Sequence, residues 1–196
     1  MPAFVAFLRA INVSGHAVVK MDRLQRAFSE AGCAEVRTVI QSGNVVFHAP
    51  GSSPAGLFQR VRENLRLLAD QEVTIMFRKG PEIDRVVRSR PFDGVPHEAD
   101  AKWYVSFLLS KPKVSLRLPL VYQKEAVEVL RVSGREAFAV SRRIPGKAMY
   151  GFPNSVIEKE FGIPATTRNW STVVKVSELL SGLAGATGAK GGEVWR

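Results

Sequence analysis

The sequence predicts an α+β protein, and two observations carry this prediction. In the first half, short β-rich runs and helical stretches follow one another as β-α-β-β-α-β, the order of a ferredoxin-like split β-α-β fold. In the second half, strands and helices alternate again, and an apolar helix comes last. With 196 residues, 45% of them hydrophobic, the chain can bury a sizeable core.

The first half contains four predicted strands and three predicted helices. Met21, Leu24 and Phe28 recur at helical spacing, and Gly32 follows them as a stop signal. Ser42-Gly43 separates two β-rich runs and indicates a hairpin. The strands are predicted at residues 4–9, 36–41, 44–48 and 72–78, and the helices at 21–31, 54–68 and 81–88.

The second half is a loose echo of the first, which favours an internal duplication. A strand is predicted at 103–109, followed by an irregular Lys/Pro-rich stretch and then a hairpin of 126–132 and 136–141. Helices are predicted at 154–161 and 172–183. The expected organisation is a ferredoxin-like half at 1–95, a related α+β half with the C-terminal helix at 96–182, and a flexible tail at 183–196.

Composition excludes several classes of protein. No apolar run approaches the roughly 20 residues that span a bilayer, and the N-terminal apolar stretch has no basic lead-in, so neither a membrane nor a signal peptide is expected. The single Cys33 rules out an intrachain disulfide and favours a cytoplasmic location. No nucleotide fingerprint and no metal-ligand spacing occurs, so we expect no cofactor and no metal; the three histidines, His16, His48 and His97, are far apart.

The net charge of +10 is concentrated in the second half. Between Lys102 and Lys147 there are ten basic residues and three acidic ones. Such a stretch would attract phosphate-bearing partners, and nucleic acid is one of them. A solvated, solubilising surface explains the same charge and is the favoured interpretation. The candidate nucleic-acid contacts are Arg131, Arg135, Arg142, Arg143 and Lys147.

Two polar motifs are expected to meet at one edge of the first sheet. One motif, residues 8–15, begins at the end of the first predicted strand. The other, Gln41-Ser42-Gly43-Asn44, forms the predicted hairpin turn. Because a helix connects the first two strands, these strands run parallel and their ends share an edge. Turn amides, a helix N-terminus and cations suit an anion there, whereas the structural alternative is an ordered loop and a hairpin turn. The candidate ligand-binding residues are Arg9, Asn12, Ser14, Gly15, Lys20, Ser42, Gly43 and Asn44.

A third motif, residues 166–173, precedes the last helix. Asn169 is predicted as its N-cap, with Arg168 just outside the helix. Arg168 and the helix N-terminus would together hold a carboxylate or phosphate. The alternative is that Asn169 only caps the helix and Arg168 pairs with a surface acid. A single site would require Arg168 to reach the edge that carries Arg9 and Asn12.

Together these motifs resemble the bacterial family called domain of unknown function 1697. The resemblance covers about residues 4–181 and implies an α+β fold with ferredoxin-like halves, but no particular activity. Glycines, a tyrosine and an asparagine of the family motifs are replaced here by Ala10, Ser14, Val39 and Ser171. The motif residues that match the family are Arg9, Asn12, Gly15, Ser42, Gly43, Asn44, Arg168, Asn169 and Trp170.

The leading hypothesis is therefore a protein that binds an anionic small molecule at the edge shared by the first strand and the hairpin. The alternatives are a nucleic-acid-binding module that uses the basic stretch and a protein-interaction module whose motifs are purely structural. The sequence predicts neither a reaction nor an oligomeric state.

Overall fold

The computed structural model describes residues 1–9, 11, 19–40, 43–51, 54–96, 100–114 and 116–188, with side chains up to Leu183. Four predicted site residues, Asn12, Ser14, Gly15 and Ser42, lie outside the described residues. The elements are β1 (Ala3–Leu8), α1 (Met21–Glu30), β2 (Ala34–Val39), β3 (Asn44–His48), α2 (Ala55–Ala69), β4 (Ile75–Lys79), α3 (Gly80–Arg88), β5 (Ala101–Leu108), β6 (Leu120–Tyr122), β7 (Val127–Ser133), β8 (Glu136–Arg142), α4 (Pro153–Phe161), β9 (Ala165–Asn169) and α5 (Trp170–Gly188).

The chain forms two compact units. The first contains residues 1–85 together with 174–196, and the second contains residues 86–173. Helix α5 therefore begins in the second unit and continues in the first. The predicted boundaries after residues 95 and 182 stay predictions. Residues 189–196, most of the predicted flexible tail, lie outside the described residues.

The first unit is built on a four-stranded antiparallel sheet with the strand order β2-β3-β1-β4. Strand β1 is central, with Val5 opposite Val46 on one side and Arg78 on the other. Because both faces of β1 are buried, its sequence is a continuous apolar run instead of an alternating one. One face carries the main core, in which Phe28, Phe47 and Leu65 are fully buried together.

The second unit contains a five-stranded antiparallel sheet with the order β6-β7-β8-β5-β9. If the edge strand β6 is left out, the order β7-β8-β5-β9 corresponds to the order β2-β3-β1-β4 of the first sheet. In each sheet, the strand that comes first in the chain lies between the third and the fourth. Helix α4 precedes the last strand, as α2 does in the first unit. The hydrophobic core of the second unit includes Leu108, Val129, Ile157 and Phe161. The α+β prediction is confirmed.

Two strands and the extent of the last helix were not predicted. Strand β6 has only three residues and sits at a sheet edge, so it has too little pattern to be recognised. Strand β9 consists of Ala-Thr-Thr-Arg-Asn, a polar run that looks like a loop. Its pairing with β5 makes it a strand, helped by the β-branched Thr166 and Thr167. Helix α5 runs from Trp170 to Gly188, whereas 172–183 was expected.

Candidate functional site

The end of β1 lies against the start of β3, as the topology predicts. The Leu8 N–H donates to the Gly43 carbonyl at 2.8 Å, and the Arg9 N–H donates to the Thr74 carbonyl at 2.9 Å. Strand β1 is antiparallel to β3, and β3 is antiparallel to β2, so β1 and β2 run in the same direction. The half-buried Arg9 therefore lies next to the hairpin.

Gly43 is required at this edge for two reasons. Its φ of +69° lies in the left-handed region that side chains rarely adopt. In addition, a Cβ on Gly43 would overlap Ile11 Cγ2 and approach Leu8 Cβ to 3.1 Å. The glycine thus allows the hairpin to pack directly on the end of β1.

Asn44 holds the same hairpin from inside. Its side chain is fully buried, and its Nδ2–H donates to the Val39 carbonyl at 3.0 Å. This bond joins the end of β2 to the start of β3, across a turn in which Ile40 has a φ of +56°. The contact supports the structural interpretation of Asn44.

Lys20 and Arg9 lie at opposite ends of the segment that connects β1 with α1. Lys20 is exposed and directly precedes α1, with extended backbone at φ −65° and ψ 144° and no side-chain cap. Lys20 therefore does not cap the first turn of α1 with its own side chain. Three further candidate ligand-binding residues come between these two cations in the sequence. They are Asn12, Ser14 and Gly15, and they lie outside the described residues.

Arg168 lies in the second unit, in β9 opposite Val105. Its guanidinium donates to Thr166 Oγ1 at 2.7 Å and to the Thr167 carbonyl at 2.9 Å. Burial lowers the pKa of Arg168 to about 10. Because this value is still well above neutral pH, the side chain stays charged there. The exposed Asn169 lies at the end of β9, immediately before α5, and its predicted role as the N-cap stays a prediction.

A buried hydroxyl network next to Arg168 was not foreseen from the sequence. The hydroxyls of Ser106 and Thr167 are 2.6 Å apart, and Thr167 donates to Asn154 Oδ1 at 3.0 Å. Because a hydroxyl has one proton, Ser106 must be the donor to Thr167. Ser106, a polar residue within the mostly apolar β5, is the sequence feature that could have indicated this network. Ser141, on the same face of the sheet, is fully buried, and its Oγ has no hydrogen-bond partner among the described atoms.

Three of the predicted nucleic-acid contacts have partners within the second unit. Arg142 pairs with Glu128 at 3.1 Å, and Arg143 pairs with Asp100 at 3.3 Å. Arg131 lies over the Phe138 ring, 4.9 Å from its centroid. Of the other two predicted contacts, Arg135 is half-buried, and Lys147 is exposed in the turn after β8.

Other chemistries find little support. Burial raises the pKa of the Cys33 thiol to about 12 although Arg60 opposes the shift, so Cys33 is protonated and unreactive at neutral pH. Among the described residues, no group of three or more His, Cys, Asp or Glu side chains is arranged to hold a metal ion. In the same part of the chain, every helix is too short or too polar to cross a membrane.

These features define a two-unit α+β protein with motif cations at an edge of the first sheet and in the last strand of the second. The family described as "Protein of unknown function (DUF1697)" matches residues 1–138, and the chain belongs to this family. Among curated proteins no match is found.

The fold is also similar to a solved structure, that of the conserved bacterial protein SP0830 from Streptococcus pneumoniae. The two sequences are 17% identical, and the structures superpose with a TM-score of 0.58. The match covers 91% of this chain and 98% of that chain. At this identity the similarity concerns the fold alone.

Proposed function

We propose that the protein binds a small molecule that carries a carboxylate or phosphate group, and that Arg168 binds this group. The β1/β3 edge, with Arg9 and Lys20, is the second position at which the motifs predict an anion. The proposal concerns binding and assigns no reaction.

The observation that carries the proposal is the environment of Arg168. Thr166 Oγ1 and the Thr167 carbonyl accept from the guanidinium, and these bonds hold it in one orientation. Removal from water strengthens its attraction for an anion, because the local dielectric constant is low. A guanidinium held in place also loses little rotational freedom on binding.

The β1/β3 edge is supported by its backbone geometry and its charge. The bond from Leu8 to Gly43 brings the end of β1, where Arg9 follows, to the hairpin. Lys20 lies where the first turn of α1 begins, and the helix dipole favours an anion at that end. Asn44 is assigned a structural role here, since its amide donates to Val39.

The nucleic-acid alternative has less support. Two of its five predicted contacts, Arg142 and Arg143, are paired with carboxylates. Arg131 lies over Phe138 and also donates to Ser89 Oγ at 3.2 Å. A binding surface for nucleic acid would need these side chains to reach phosphates.

The test is a thermal-shift panel with nucleotides, sugar phosphates, dicarboxylates, coenzyme A and a short RNA. Ligands that bind only the folded state raise Tm by mass action. We expect one small anion to raise Tm of the wild type, with Arg168→Ala weakening binding about tenfold or more. Arg168→Lys should restore it only in part, because lysine keeps the charge but loses the planar fork.

Matched variants separate the two positions. Arg90 is an exposed arginine of the second unit that pairs with Asp93 at 3.7 Å, and Arg90→Ala should leave binding unchanged. Loss of binding in Arg9→Ala and Lys20→Ala, but not in Arg168→Ala, would assign the ligand to the β1/β3 edge. If Arg9→Ala, Lys20→Ala and Arg168→Ala all bind the ligand as tightly as the control Arg90→Ala, both positions are contradicted. A response to RNA alone that disappears at high salt would favour the nucleic-acid alternative.

A further inference from the structure

A separate cleft of about 280 Å³ lies within the second unit. It is formed by the segment after β5, the β7–β8 hairpin and the C-terminal end of α4. The described residues that line it belong to none of the three sequence motifs. The lining residues that matter for its chemistry are Lys111, Lys113, Leu116, Leu118, Val132 and Phe161.

The floor of the cleft is apolar and firmly supported. Phe161 belongs to the hydrophobic core of the second unit, and Leu116, Leu118 and Val132 pack against that core. These side chains are already held by their neighbours, so a ligand would meet a preformed surface. Val114 on the rim is 55% exposed and extends the apolar surface outward.

The rim carries two lysines on one short segment. Lys111 and Lys113 are both exposed, and within the described ranges neither ammonium forms an ion pair or a hydrogen bond. The carboxylate of Glu136 lies on the hairpin side near Gly134, where it accepts from the Arg135 N–H at 3.3 Å. The lysines therefore present positive charge directly beside an apolar floor.

We propose that this cleft binds a small amphipathic anion, a molecule with a carboxylate or phosphate head and a short apolar body. The head would contact the lysine ammonium groups, and the body would cover the leucine, valine and phenylalanine side chains. The volume of about 280 Å³ lies just below the roughly 300–1,000 Å³ range of ligand pockets, which fits a molecule smaller than a typical drug. The cleft is independent of the anion position proposed at Arg168.

The experiment uses the full chain and four probes: octanoate, octyl phosphate, octanol and inorganic phosphate. Calorimetry measures affinity, and chemical-shift mapping identifies the residues contacted. We expect the two amphipathic anions to bind and to shift the amides of Val114, Leu116 and Val132. Octanol, which lacks the charge, and phosphate, which lacks the chain, should each bind about tenfold more weakly or worse.

Three variants test the two parts of the cleft. The double substitution Lys111→Ala with Lys113→Ala removes the charge, and Val132→Trp fills the floor; each should weaken octanoate binding about tenfold or more. Lys124→Ala removes an exposed lysine from the turn between β6 and β7 and should change nothing. Thermal unfolding confirms that each variant is folded, and the lysine variant, altered only at the surface, provides the test if Val132→Trp is not.

Several results would overturn this inference. Octanol binding as tightly as octanoate would eliminate the role of the lysines, and phosphate binding as tightly as octyl phosphate would eliminate that of the floor. Loss of octanoate binding in Arg168→Ala alone would assign the anion to the position proposed above. Binding to anionic phospholipid vesicles without binding of monomeric octanoate would indicate a membrane surface instead.

Discussion

Replacing Gly43 by alanine should destabilise the first unit through two separate effects. Its φ of +69° costs about 1–2 kcal/mol for a residue with a Cβ. The new Cβ would overlap Ile11 Cγ2 and press on Leu8 Cβ, and overpacking of this kind costs about 1–3 kcal/mol. The expected loss in the free energy of unfolding is therefore about 2–5 kcal/mol.

Gly51→Ala is the matched control in the same unit. Gly51 has a φ of +90°, and no described heavy atom lies within 4 Å of the position of its Cβ. Its backbone cost is at least that of Gly43, because +90° lies farther from the left-handed minimum near +57°. Any excess loss in Gly43→Ala therefore measures the contact with Ile11 and Leu8.

Urea unfolding at neutral pH measures both variants, with thermal unfolding as a second readout. Each kcal/mol corresponds to about 2–4 °C in Tm for a chain of this size. We expect Gly43→Ala to lose at least about 1 kcal/mol more than Gly51→Ala. Losses that agree within about 0.5 kcal/mol would refute the close packing of the hairpin on β1.

Three further predictions concern other parts of the chain. Asn44→Ala should lower the free energy of unfolding by about 1–3 kcal/mol, because the buried Val39 carbonyl loses its donor; an unchanged urea midpoint would instead favour a ligand-binding role. Ser106→Ala should lower stability by about 1–3 kcal/mol, whereas Ser141→Ala should be neutral or stabilising; equal urea midpoints would contradict the hydroxyl network. Because burial raises the pKa of Cys33 from 9.0 to about 12, unfolding releases a thiol that ionises more readily. The free energy of unfolding should thus be unaffected by Cys33 below pH 9 and should fall by at most about 1.4 kcal/mol from pH 9 to pH 10. Urea titrations at these pH values measure this decrease, and Cys33→Ala should lack the part that is due to the thiol.

The elements that could be predicted are those whose local pattern matches their environment. Residues Met21–Glu30 have an apolar stripe at helical spacing with one buried side, and Asn44–His48 follows a turn glycine; both were predicted closely. Strand β9 was missed because Thr166, Thr167 and Arg168 are polar in a strand that is mostly buried. Their hydroxyl and guanidinium partners come from the fold, including Ser106 some sixty positions earlier, so no local pattern reveals them.

The sequence by itself determined the α+β class, the family and the approach of the end of β1 to the start of β3. These depend on local periodicity and on chain direction, which short-range chemistry dictates. Only the tertiary structure decided the roles of individual side chains. It gave Asn44 a buried bond to Val39, paired Arg142 and Arg143 with carboxylates, desolvated Arg168, and set Lys111 and Lys113 beside an apolar cleft. Burial and partners arise from residues distant in sequence, and they determine whether a polar side chain supports the fold or remains able to bind a ligand.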